Sequence, residues 1–156
     1  MPNPDWELLW TAIDGEPGLC DGYLENGSGE RCSIGALFAK TAKNLEIVIT
    51  ETGPINLRHY GIDLIAKSKK ELEDLKPLIL DLVKSGFISG NPESIMESAA
   101  SYRIELYMTD IGNRVINRND SMPRESNKER KQRMLNWVCE RVREAQSKEI
   151  EAQNEG

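Results

Sequence analysis

The chain has 156 residues, enough for one domain that buries a core without a metal or a disulfide to hold it. Hydrophobic residues make up 38% and charged residues 29%, and the net charge is −6. That acidic balance excludes a general nucleic-acid or anionic-lipid binder unless the basic residues cluster, and no apolar run reaches membrane-spanning length.

Asn3-Pro4-Asp5 is a helix start, with Asn3 as the expected cap. Trp6, Leu9, Trp10 and Ile13 follow on one face, and Gly15 to Gly18 end the helix. The two tryptophans read as a core anchor. Residues 20–31, with Gly22, Gly27 and Gly29, form a turn-rich loop that could hold a short strand pair. A second helix starts at Cys32 or Ser33 with Ile34, Leu37 and Phe38 on its face. Gly35 inside it costs about 1 kcal/mol relative to alanine and therefore needs a packing reason.

Leu45, Ile47 and Ile49 alternate as a strand, and Asn56 to Asp63 read as a loop. Ser68 to Glu71 is a capping box whose helix is divided by Pro77 and closed by Gly86-Phe87. Asn91-Pro92-Glu93 starts a helix carrying Ile95, Met96, Ala99, Tyr102 and Leu106. Thr109 or Asp110 caps the next, which ends at Asn119-Asp120-Ser121. Ser126 to Glu129 is a second capping box, followed by Met134, Trp137, Val138, Arg141, Val142 and Ala145 at helical spacing. The expected fold is mostly α. It is a compact single domain of five or six helices over residues 1–146, with a small two-stranded β element near 20–31 or 45–50. Residues 147–156 form a frayed polar tail.

The chemical motifs are few. Gly27-Ser28-Gly29 before a helix suits a phosphate, but neither the dinucleotide nor the P-loop pattern is completed, so no cofactor is expected. Cys32 opens a helix, where a thiolate is favoured, and His59 and Asp120 follow it. Cys, His and acid occur in that order in papain-like thiol enzymes, which makes Cys32, His59 and Asp120 the triad of an alternative thiol-dependent hydrolase. A cysteine phosphatase is excluded because the sixth residue after Cys32 is Phe38 and not arginine. Cys20, Cys32, Cys139 and His59 lack the close pairs of a zinc site, so no metal is expected. Three irregularly spaced cysteines and no apolar leader point to free thiols in a cytoplasmic protein.

Between Arg124 and Arg143, seven Lys or Arg stand against three Glu, so this segment is +4 and the remainder −10. Lys128, Arg130, Lys131 and Arg133 are the candidate binding surface, more for an acidic protein than for nucleic acid. A helix-turn-helix over residues 92–118 is disfavoured because no glycine marks its turn.

Cys32-Ser33-Ile34-Gly35-Ala36-Leu37 and Val115-Ile116-Asn117-Arg118-Asn119-Asp120, with a closing amphipathic helix, resemble a loose group of small uncharacterised bacterial and phage proteins. These combine an early Cys-x-x-Gly-Ala-Leu with a late Asn-Asp. The resemblance implies a fold core and a mobile-element origin, and carries over no catalytic residue. The expected function is a non-enzymatic accessory role, as adaptor or inhibitor, through a protein partner or a second copy of the chain.

Overall fold

The computed structural model describes residues 3–42, 48–50 and 61–155. Its helices are α1 (Trp6–Asp14), α2 (Ser33–Ala42), α3 (Lys69–Asp74), α4 (Lys76–Lys84), α5 (Pro92–Glu97), α6 (Asp110–Asp120) and α7 (Asn127–Glu155). The strands are β1 (Val48–Thr50), β2 (Gly61–Ile65), β3 (Ile88–Ser89) and β4 (Arg103–Met108). The class is mostly α, as the periodicities predict. α3 and α4 are one helix divided at Leu75, with Pro77 in the first turn of α4, where a missing N–H costs least.

The sheet is larger than the expected pair. Its order is β1-β2-β4-β3, and every pairing is antiparallel. β1 falls within the expected 45–50 segment, whereas the 20–31 loop contributes only isolated bridges from Arg31 to Leu19 and Glu25. Two readings are corrected. The helix expected through Leu106 stops at Glu97, and Arg103–Met108 is a central strand. Ile104, Leu106 and Met108 are buried there while Arg103, Glu105 and Tyr107 face out, so a period of two overrides the helical spacing. The helix-turn-helix reading falls with it. Residues 61–63, expected in a loop, belong to β2, and residues 51–60 lie outside the described set.

One core lies between the helices and the inner face of the sheet. Ile62, Leu64, Ile104 and Leu106 meet Phe38, Leu37, Leu78, Ile79 and Val115 there. Trp6 is an anchor as expected, standing edge-on to Phe87 at 5.2 Å and to Trp137 at 5.6 Å, which joins α1 to α7. Each such aromatic pair adds about 1 kcal/mol beyond its buried area.

Local capping follows the sequence closely. Ser126 and Glu129 form a reciprocal box: Glu129 N donates to Ser126 Oγ at 3.2 Å, and Ser126 N to Glu129 Oε1 at 3.1 Å. Ser68, Asn91 and Thr109 cap α3, α5 and α6. At the first helix the cap is Asp5, which accepts from Leu8 N, and not Asn3. α7 continues through Glu155, beyond the tail boundary expected at residue 147. Its side chains from 146 to 154 are exposed, so nucleation by the packed turns and good helix formers carry it on.

The turn into β4 is strained. Ala100 and Arg103 exchange backbone hydrogen bonds of 3.0 and 3.3 Å across Ser101 and Tyr102, whose φ values are +54° and +62°. This two-residue turn, with positive φ at both centres, normally takes Asn-Gly. Replacing Tyr102 with glycine is expected to stabilise the fold by roughly 1 kcal/mol, read as a raised denaturation midpoint. A lowered midpoint would mean that the Tyr102 side chain contributes more than its backbone costs.

Candidate functional site

The start of α2 is held from the far end of the chain. Asn119, 1% exposed, accepts from Ser33 N at 3.0 Å and Ser33 Oγ at 2.8 Å. Its amide nitrogen donates to Cys20 O at 3.0 Å and to Asp120 Oδ1 at 2.8 Å. Asp120 also accepts from Gly22 N at 3.1 Å. Asn119-Asp120 thus caps α2 and pins the preceding loop. Ser33 N, a free donor in an uncapped helix, is occupied. In the Gly27-Ser28-Gly29 turn, Asn26 Oδ1 takes the amides of Ser28 and Glu30. The amides of Ser28, Gly29, Glu30 and Ser33, which a phosphate cradle would need, are thus already taken within the chain.

The cysteine of the candidate thiol-enzyme triad lies in the interior of the protein. Cys32 is 3% exposed, and burial pushes its thiol up to about 12, with the negative charge of nearby Asp120 adding to the rise. A nucleophile needs the opposite shift. Cys20, also buried, is pushed up to about 11, first by burial and then by Glu30 and Asp21. His59 lies outside the described residues. All three cysteines are free, and Cys139 is the half-exposed one. A thiol reagent at neutral pH is therefore expected to label Cys139 and to reach Cys20 and Cys32 only on unfolding. Rapid labelling of Cys32 in the native protein would restore its claim to chemistry.

The raised thiols also set a pH dependence. Above the ordinary cysteine value of 9.0, the unfolded chain loses the Cys32 proton while the folded chain keeps it to about 12. The contribution is complete below pH 9.0 and falls as pH rises through that window. Each buried thiol is expected to remove roughly 1 kcal/mol of stability per pH unit there. Urea midpoints should show a shallower alkaline loss for Cys32→Ala than for the native chain.

The basic surface is largely spent inside the protein. Arg130 is 1% exposed and bonded to backbone carbonyls, so it is corrected from a surface contact to a core residue. Its side chain follows the Met134-Val138 stripe, four and eight residues on. Arg133 bonds Glu125 at 2.8 Å and the carbonyls of Arg118 and Asn119, and it holds the Glu125 carboxyl below its usual range. Lys131 donates to Asp14 O at 3.0 Å. Of the four, Lys128 is the exposed one. This takes Arg130 and Arg133, two of the four, out of a nucleic-acid contact.

A groove of about 660 Å³ that no motif announces lies between α5 and the outward face of β4. Ser94 and Ser98 line it from α5, and Arg103, Glu105 and Tyr107 from the strand. Arg103 pairs with Glu105 at 3.5 Å, and Tyr107 Oη donates to Glu105 at 3.2 Å. Tyr107 is 52% exposed, and the strained turn forms part of the rim. The signal available in sequence was the polar half of the β4 alternation. Among the described residues, no group of three His, Cys, Asp or Glu side chains could hold a metal ion, and no helix is long and apolar enough to cross a membrane.

Comparison of the chain with family models, with curated proteins and with solved structures finds no match.

Proposed function

We propose that the protein acts by binding another protein, as a non-enzymatic adaptor or inhibitor, and that it docks its partner in the groove between α5 and the outward face of β4. One observation carries this reading: a strand at the centre of the sheet presents Arg103, Glu105 and Tyr107 outward beside a concavity. Tyrosine and arginine contribute disproportionately to protein interfaces. The Ser101-Tyr102 backbone strain sits on the same rim, and strained backbone collects where a surface has a task beyond folding. Burial of Cys32 and internal use of Arg130 and Arg133 weigh against a hydrolase and a nucleic-acid binder. A bacterial or phage origin belongs to this reading through the Cys-x-x-Gly-Ala-Leu and Asn-Asp resemblance, and a cytoplasmic location through the three irregularly spaced free thiols.

The test is paired affinity capture from a bacterial or phage-infected lysate with the native chain and with Tyr107→Ala. A partner retained by the native chain and lost by the variant, with unchanged circular dichroism and midpoint, supports the groove. Equal recovery by both chains would sink it.

A further inference from the structure

We propose that Asn26 is a site of self-promoted deamidation, in which the native turn itself assembles the groups that convert its amide to an acid. Asn26 is followed by Gly27, an exposed residue that carries no side chain of its own to shield its nitrogen. Asn26 Oδ1 accepts from Ser28 N at 3.0 Å and from Glu30 N at 3.0 Å. Two backbone donors at that distance polarise the side-chain carbonyl and stabilise the oxyanion formed when a nucleophile adds to Cγ. Asn26 Nδ2 donates to Glu30 Oε1 at 3.0 Å. A carboxylate therefore sits on the leaving nitrogen, where a proton must arrive. The backbone fixes the arrangement, since Gly29 N donates to Asn26 O at 3.0 Å and Asn26 N to Glu30 O at 2.8 Å.

The atoms balance without an oxidant or a cofactor. The Gly27 nitrogen bonds to Asn26 Cγ, and the Cγ–Nδ2 bond breaks. The proton released from Gly27 passes to solvent, and Nδ2, protonated from solvent beside the Glu30 carboxylate, leaves as ammonia. Water then opens the cyclic imide to aspartate or isoaspartate. The product replaces an amide donor with an oxygen facing Glu30, so attraction becomes repulsion. Glu30 also accepts from Asn127 Nδ2, at the first residue of α7. Modification therefore loosens the loop from the helix that anchors it.

The experiment is peptide mass spectrometry of the intact protein incubated at mildly alkaline pH, beside the same chain in denaturant and beside Glu30→Gln in both states. The expected result is conversion at Asn26 at least as fast folded as denatured, with isoaspartate among the products. Glu30→Gln should slow it several-fold in the folded chain only. Slower conversion in the folded chain than in denaturant would show that the turn protects Asn26 and would overturn the proposal. An equal rate for Glu30→Gln and the native folded chain would remove the role given to the carboxylate and overturn it as stated.

Discussion

Replacing Gly35 with alanine is expected to destabilise the protein by about 3 kcal/mol or more, despite alanine's advantage of about 1 kcal/mol inside a helix. A Cβ on Gly35 would stand 1.9 Å from the Leu24 carbonyl oxygen and 2.8 Å from its carbon. Both are backbone atoms, so no rotamer change relieves the clash. Leu24 cannot simply retreat either. Its oxygen accepts from Cys32 N at 3.3 Å, and its side chain is buried in the core. Moving it would also disturb Glu25, which bridges to Arg31. The steric term therefore exceeds the propensity term, and for a chain of this size the melting temperature should fall by roughly 6–12 °C. Gly27→Ala is the control, because nothing lies within 4 Å of its added carbon. Its effect should stay within about 0.5 kcal/mol. Equal melting of Gly35→Ala and the native chain would show that α2 and the 20–31 loop do not approach this closely.

That contact also marks how far the sequence could be read. Gly35 announced a close approach, but not the Leu24 carbonyl that fills the space. The caps at Ser68, Asn91, Thr109 and Ser126 were legible because each is written within four residues of chain. β4 was not, for a specific reason. Ile95, Met96, Ala99, Tyr102 and Leu106 keep helical spacing across the real boundary at Glu97. The turn that should have signalled a strand carries Ser-Tyr in place of Asn-Gly. The groove inherits this blindness, since its strand wall is the exposed half of β4. Asn119 is visible in the sequence as a helix end, but the Ser33 it caps lies 86 positions earlier, beyond any local pattern. The basic segment misled because counting charges ignores direction. Placing Arg130 on the Met134-Val138 stripe would have moved it indoors.

Arg130 carries the second large effect. Arg130→Met is expected to cost roughly 3–5 kcal/mol, even though the two side chains are similar in length and methionine suits a core. The guanidinium donates to Leu19 O at 3.0 Å, Met122 O at 3.1 Å and Glu125 O at 3.3 Å. It thereby ties together the loop after α1, the turn before α7 and α7 itself. Its carboxylate partners are more distant, with Glu125 at 3.8 Å and Asp21 at 3.9 Å. Two sources of stability are therefore separable. If ion pairing dominated, Arg130→Lys would keep the charge and most of the stability, and the loss in Arg130→Met would shrink in high salt. If the carbonyls dominate, a lysine ammonium cannot reproduce the planar fork that reaches all three, and each carbonyl left buried and unpaired costs about 1–3 kcal/mol. The distances favour the second account. Arg130→Lys is thus expected to lose more than half of what Arg130→Met loses, and the losses should be nearly independent of salt. Denaturant midpoints of the two variants at low and high salt decide it. A lysine variant close to the native chain would move the weight to Glu125 and Asp21.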